Sequence, residues 1–419
     1  MIIRAKFLMI DPFTLIENGA VKINGNRITQ SGKFPLVNKS SKNGLIDLGD
    51  AMIMPGLVNP HTHLEGPEVY GGSMPSGEKR LSPPQAFTDW AEKVISIRLR
   101  MSSEGYKKST VNGYQVLIQN GITMAGDHTH LAHTWSVHKT AKIRRVLFEE
   151  IVDLNPLSAL QSFAGLTKRI KKIPVNDLIR VGVAPHAPYS VSAELYQQLF
   201  KFARKRKMPF STHLSELKDE SELMIKGTGK IKAYLKKVGR DNHYWRYPGT
   251  TSVRYMEKLG ILKAPAFFVH CNYLSNRDIR SIAKAGVNVV FCPNSHNYFG
   301  HRNHPFRKLL KQKVTIALGT DGLGSNADLS ILKEMKYIQD NYSGINTSLL
   351  FQMGITNGLK TLGADKKLGE LKPGFLADLT AFPLRRNITP PERVKQNLIE
   401  TAPKCIFTMV NGRTIYRDK

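Results

Sequence analysis

The segment "MPGLVNPHTHLEG" (54–66) sets two histidines, His61 and His63, one residue apart just beyond an apolar run. Side chains alternate on an extended chain, so both imidazoles face the same side. Alone, such a pair is a weak motif. Two later segments strengthen it: "STHLSE" (211–216) supplies His213 and "LGTDG" (318–322) supplies Asp321. Three imidazoles and one carboxylate form a donor set for a divalent ion, and a catalytic site of this kind keeps one position for water. The chemistry is then metal-assisted hydrolysis. A second His-x-His pair, His128 and His130 in "DHTHLAH" (127–133), competes for the role. Composition does not decide between the pairs, and a rim, pocket or packing role stays open for His128 and His130.

Such residues need strands to carry them. Apolar or β-branched runs recur at 51–59, 121–127, 144–152, 179–185, 208–214, 265–271, 286–293 and 313–321, separated by helical patterns. This is the pattern of parallel βα units, and eight of them close into a (β/α)8 TIM barrel. The runs end on His61 and His63, Asp127 and His128, Glu149 and Glu150, His186, His213, His270, Asn294 and Asp321. A barrel of this kind does its chemistry at the carboxyl ends of its strands. Both chain ends read differently, as short strands with turn signals at "NGNRI" (24–28) and "NG" (411–412). The expected fold class is therefore α/β, a TIM barrel over residues 56–365 with a small β-sandwich domain composed of 1–55 and 366–419.

The composition excludes several classes. The chain has 419 residues, 41% of them hydrophobic, enough for a large core, and three widely spaced cysteines, Cys271, Cys292 and Cys405, that form no disulfide framework. The start of the chain has no signal-peptide core, and no apolar run reaches the roughly 18–20 residues a membrane span needs. A cytoplasmic location is expected. The formal charge of +28 is spread over segments such as "KFARKRK" (201–207) and "KIKAYLKKVGR" (230–240), without interleaved stacking aromatics. It reads as a solvated surface before a nucleic-acid footprint.

Together "PGLVNPHTHLEG", "APHAPYSVS", "STHLSE", "FVHC" and "LGTDGLGSN" resemble the amidohydrolase superfamily. Within it they are similar to the branch of nucleoside deaminases and chlorohydrolases, which includes S-adenosylhomocysteine/methylthioadenosine deaminases, aminofutalosine deaminases and triazine hydrolases. The resemblance implies that His61, His63, His213 and Asp321 hold one divalent ion, with zinc favoured and Fe2+ the alternative. It further implies that Asp321 orients or deprotonates water, that His270 hydrogen-bonds that water or the tetrahedral centre, and that Glu216 shuttles its proton to the ring and leaving group. His186 stands where binuclear relatives have a bridging lysine, which implies a single ion. The implied activity is hydrolytic deamination of an aminated heterocycle, an adenine-type nucleoside first, on a small-molecule substrate. Chlorohydrolase or other C–N hydrolase chemistry is the alternative, and a non-catalytic, basic nucleic-acid-binding barrel is the rival of another class. The resemblance allows a homo-oligomer, although no apolar stripe demands one. Substrate-binding candidates are His186, Trp90 in "FTDWAEKV" (87–94), and Arg144 beside Arg145, with Ser295, His301 and His304, near His296, in "NSHNYFGHRNHPF" (294–306). Each has a plainer role open to it: core packing for Trp90, a strand-edge solubiliser for the arginines, a polar loop for the last group.

Overall fold

The apolar run at 51–59 divides at Gly56. In the structure, a computed structural model that describes residues 1–38, 44–66, 86–129, 131–241, 244–364, 366–385 and 393–418, the preceding residues form five strands. They are β1 (Ile2–Asp11), β2 (Thr14–Asn24), β3 (Arg27–Lys33), β4 (Leu45–Asp47) and β5 (Ala51–Pro55). The chain then enters the barrel at β6 (Leu57–Thr62). A Cβ on Gly56 would lie 2.0 Å from the Thr123 hydroxyl, so the passage between the two sheets needs a residue without one.

The barrel continues through β7 (Ile122–Thr129), β8 (Arg144–Ile151), β9 (Ile179–Pro185), β10 (Phe210–Leu214), β11 (Ala266–His270), β12 (Asn288–Phe291) and β13 (Ile316–Leu318). These eight strands form one parallel sheet in sequential order, a (β/α)8 TIM barrel. The seam between the last and first strands is bridged at its upper end, where Thr320 N and Asp321 N both donate to His61 O at 3.1 Å. Gly319 permits that approach, since a Cβ there would stand 3.0 Å from the His61 Cβ and 2.7 Å from Val290. Val58, Met124, Val146, Phe148, Ala184, Phe267, Val269, Val290 and Ala317 fill the lumen as a closed apolar core beneath the site.

The carboxy-terminal strands β14 (Leu379–Pro383), β15 (Phe407–Val410) and β16 (Arg413–Arg417) return to the amino-terminal ones. β14 pairs antiparallel with β5, giving a mixed eight-stranded sheet built from both termini. A bridge between Arg27 and Leu376 folds its β3 edge back over a core of Ile3, Leu8, Val21, Ile53, Leu379 and Phe407. Among the described residues no helix is long and apolar enough to cross a membrane.

Side-chain alternation along β8 decides what its arginines do. Arg144, Val146, Phe148 and Glu150 share one face, and Val146 and Phe148 lie in the lumen. Arg144 therefore stands at the amino-terminal mouth of the barrel and Glu150 at the opposite, carboxyl end. The expectation that Arg144 binds substrate is corrected on this ground. Its guanidinium instead donates to both carboxylate oxygens of Asp378, at 2.7 and 3.0 Å, and to Asp177 O at 2.7 Å, clamping the terminal sheet onto the barrel floor. Arg145 is buried as well and donates to Ala141 O and Ile143 O at 2.8 and 2.6 Å, so it too meets no substrate.

Candidate active site

His61 is the penultimate residue of β6, and His63 follows the strand immediately. His213 lies in β10, and Asp321 follows β13. One ring nitrogen from each of the three histidines falls within 4.8 Å of the others. Asp321 Oδ1 completes the group, 3.6 Å from Nε2 of both His61 and His63. Both ring nitrogens of His61 are buried without a hydrogen-bond partner, an arrangement that a metal ion would relieve. His213 Nδ1 donates to His186 O at 2.9 Å, which leaves its Nε2 lone pair for the cluster. Asp321 Oδ2 accepts from Ser295 Oγ at 2.8 Å and Ser325 Oγ at 2.6 Å, leaving Oδ1 for an ion. The donor set fits one divalent ion.

The electrostatics agree. Burial lowers the His61 imidazole and brings His63 down to about 3, so both are neutral ligands at pH 7. Burial opposes ionisation of Asp321, but the imidazoles around it, His61 first and then His63 and His270, outweigh it and hold the carboxyl well below its ordinary range. Asp321 at φ +58° and His270 at φ +69° hold left-handed backbone, a local strain of the sort that aims site residues.

Glu216 is carried two residues past β10 in a turn built by another carboxylate. Glu220, fully buried, accepts from Ser215 N and Glu216 N at 2.9 Å each and from Ser252 Oγ at 2.5 Å. This brings Glu216 Oε1 to 3.6 Å from His270 Nε2. Burial first, then the nearby Asp321 and Glu220, push the Glu216 carboxyl well above its ordinary range. Burial likewise keeps His270 neutral, well below its ordinary value. A carboxyl of raised proton affinity, beside a neutral imidazole, can give and take protons.

Glu216, His270, His63, His213 and Asp321 all face one cavity of about 450 Å³. Its outer wall is the helix Phe87–Arg100, with Phe87, Trp90 and Phe299 packed ring to ring at 5.2–5.5 Å. The profile of the Amidohydrolase family matches residues 52–415, which takes in both the barrel and most of the terminal sheet.

The chain belongs to the amidohydrolase family.

A 5'-deoxyadenosine deaminase of Methanothrix thermoacetophila is 28% identical over 418 residues, covering 97% of this chain and 91% of the relative. A 5-methylthioadenosine/S-adenosylhomocysteine deaminase of Pyrococcus furiosus is 27% identical, covering 91% and 84%. Among solved structures, the aminofutalosine deaminase of Helicobacter pylori in complex with methylthio-coformycin superposes with a TM-score of 0.85 over 99% of each chain, at 19% identity, and so shares the fold.

This amidohydrolase places the remaining candidates unevenly. His186 lines the cavity, its Nδ1 bonded to Ser190 Oγ at 2.8 Å and its imidazole brought down to about 4, chiefly by burial. Trp90 lines it as well and donates from Nε1 to Gly324 O at 3.2 Å. Three others are corrected, because none lies on the wall: Ser295 holds Asp321, His301 bonds Tyr273 at 3.0 Å, and His304 stacks on Phe291 at 3.7 Å while bonding His270 O at 3.0 Å. His128 lies beneath the cluster, stacked on Phe148 at 4.7 Å and bonded to Ser211 at 2.8 Å. His130 falls outside the described residues. Sequence reasoning missed Tyr189 and Ser325 on the wall and Glu220 behind it, and gave no role to Glu65 or to Glu150, which it noted only as a strand end. Glu220 had a signal, standing four residues after Glu216 in the first turn of the helix Lys218–Lys226. Glu65 had another, two residues past His63; its carboxylate accepts from Thr129 and Thr134.

Proposed function

We propose that the chain is a metal-dependent hydrolytic deaminase that replaces the exocyclic amino group of an adenine-type nucleoside with water. One observation carries the reading: the His61–His63–His213–Asp321 donor set stands at a cavity lined by three of its members and by Glu216, whose proton affinity burial raises. Kinship with relatives named as deaminases of adenosine derivatives supports the substrate class.

An ion held by those four residues, zinc by preference for imidazole and carboxylate donors, would make water nucleophilic near neutral pH. Glu150, His186 and His213 form a second trio of possible donors, but His213 has one free ring nitrogen, which favours a single ion. The chain's own residues do the rest. Ser295 and Ser325 fix the rotation of Asp321, so that Oδ1 accepts from the attacking water. Glu216 delivers a proton to the ring nitrogen beside the amino-bearing carbon, which relieves the charge that attack places there. His270, neutral, hydrogen-bonds the incoming oxygen. Glu216, then a carboxylate, takes a proton from the attacking water and passes it to the amino group, and takes the remaining hydroxyl proton as the carbonyl forms and ammonia departs. His186 and Tyr189, whose buried hydroxyl has no partner among the described residues, are placed to meet hydroxyl groups of the substrate. Trp90 and Phe299 exclude water above the ring.

The test is ammonia release and the ultraviolet shift from zinc-loaded protein given adenosine, 5′-deoxyadenosine, methylthioadenosine, S-adenosylhomocysteine or a chlorotriazine, with a chelated control. Chelator-sensitive ammonia release from an adenine compound is expected. Chloride release from the triazine with no ammonia from any nucleoside would transfer the reading to dechlorination.

A further inference from the structure

Asp321 is held by more than its two serines. Ser295 follows Asn294 in the short helix Pro293–Tyr298, and Ser325 precedes Asn326 in the loop past β13. The two asparagines belong to different loops, yet both turn to one carboxylate. Glu334 Oε2 accepts from Asn294 N at 2.8 Å, and Glu334 Oε1 accepts from Asn326 Nδ2 at 2.6 Å. Asn326 Nδ2 also donates to Thr320 O at 2.8 Å, which fixes the peptide that leads into Asp321. Three routes therefore join Glu334 to Asp321: the Ser295 hydroxyl, the Ser325 hydroxyl and the main chain at Thr320.

Glu334 stands in the first turn of the helix Ile331–Asn341, fully buried, and forms no ion pair among the described residues. Burial pushes its carboxyl up to about 8, against the pull of the hydrogen bonds from Asn294 and Asn326. An apolar side chain of the same length would escape that desolvation. Helix capping does not call for the carboxylate either, because Ser330 Oγ already accepts from Lys333 N at 3.4 Å. What a carboxylate adds is two acceptor oxygens on one planar group, one for each loop.

Asp321 needs such support. Its backbone is left-handed at φ +58°, a conformation that persists in a non-glycine residue where the surroundings impose it. Its Oδ2 is engaged by the serines, so the direction of Oδ1 depends on where the two hydroxyls stand.

We infer that Glu334 is a positioning residue for the metal centre, locking the loops after β12 and β13 together so that Ser295, Ser325 and the Thr320 peptide aim Asp321 Oδ1 at the ion. Glu334 is not one of the donors and reaches the ion through Asp321. The inference rests on the four-residue donor set of the proposed function and is independent of which substrate is deaminated.

The experiment compares wild type with E334M, which keeps the length and removes both acceptors, and with E334Q, which keeps one. Zn2+ affinity is read by competitive chelator titration, and the visible absorption of Co2+-loaded protein reports the ligand field. Ammonia release gives kcat and KM, and thermal unfolding of the metal-free protein follows the fold. E334M should bind Zn2+ roughly 10- to 100-fold more weakly, as expected when a partner behind a ligand is lost. Its Co2+ bands should shift, and kcat should fall by about tenfold or more while KM stays within about twofold. E334Q should lie between E334M and wild type, and it carries the test alone should E334M fail to fold. In an S295A/S325A background the added effect of either variant on Zn2+ affinity should shrink to about threefold or less, because the hydroxyls that transmit it are gone.

Wild-type Zn2+ affinity and Co2+ bands in the variants overturn the inference, as does an equal loss of affinity in both backgrounds. A change confined to the melting temperature overturns it too. Zn2+ affinity and Co2+ bands that depend on Glu334, with no ammonia from any nucleoside, leave this inference standing and remove the deaminase reading. Ammonia released equally by wild type and variants, at unchanged affinity, does the reverse.

Discussion

Replacing Glu216 by glutamine tests the reaction at its proton-carrying step. The amide keeps the length and nearly the volume of the carboxyl, and the turn that holds it depends on Glu220 and the backbone of Ser215 and Glu216, which the change does not touch. Glu216 is not among the ion's donors, so metal content should stay at the wild-type level. What disappears is a buried group whose proton affinity is raised by desolvation and by Asp321, next to the neutral His270. A positioned acid–base group contributes about 10²- to 10⁴-fold, and the loss here should fall at the upper end because one residue carries several proton movements. At about 1.36 kcal/mol per decade this raises the barrier by about 3–5 kcal/mol. The assay is steady-state ammonia release against pH, with zinc quantified in the same samples. Wild type should show a limb set by the raised Glu216 carboxyl, falling as pH rises above its value, and E216Q should lack that limb along with its rate. A tenfold loss or less, with the limb retained and zinc bound, would refute the proton-shuttle assignment.

Arg144→Met should cost about 3–5 kcal/mol of stability, because it strands the buried Asp378 carboxylate, yet leave kcat/KM within about twofold; a large KM change at unaltered stability would contradict its place on the barrel floor. Ser325→Ala combined with Ser295→Ala should weaken zinc binding by about 10- to 100-fold in a competitive chelator titration, since both hydroxyls orient Asp321, and an unchanged affinity would count against that support. His304 is lowered from 6.5 to about 4, chiefly by burial, so the unfolded chain takes up its proton first as pH falls. Its contribution is complete above pH 6.5 and is lost between 6.5 and about 4, at about 1.4 kcal/mol per pH unit. Denaturant unfolding of His304→Gln should show a shallower acid decline than wild type; an identical slope would exclude His304 as a source.

How much of this was legible from residues alone follows the geometry of strands. The candidate donors at strand ends are short local motifs, and bringing His61, His63, His213 and Asp321 together needed no tertiary information beyond the order of the strands. The eight barrel runs were legible for the same reason, except that 51–59 merged β5 with β6; both halves are apolar, and Gly56 marks the seam through a clash with Thr123 that no local pattern reveals. Arg144 was misread because a run of eight residues has two ends, and type alone does not say which end a residue occupies. Ser295, in the short helix Pro293–Tyr298, and His304, in the loop after it, turn inward to hold Asp321 and the His270 carbonyl, contacts that no local pattern reveals.

The same geometry separates His61 from His128, the described member of the second pair that stands nearest to it. His61 and His63 follow Gly56 at the top of β6, where the Thr320 and Asp321 amides dock on His61 O and bring a carboxylate to the rings. His128 stands on β7 with its ring centroid 4.3 Å from that of His61, yet it faces the lumen one layer lower, and its Nε2 is engaged by Ser211. It approaches the cluster as a packing surface beneath it. An imidazole becomes a candidate ligand when a ring nitrogen is left unpaired and a carboxylate stands beyond it. Of these two rings on neighbouring strands, His61 meets both conditions, and the seam between β13 and β6 is what supplies the carboxylate.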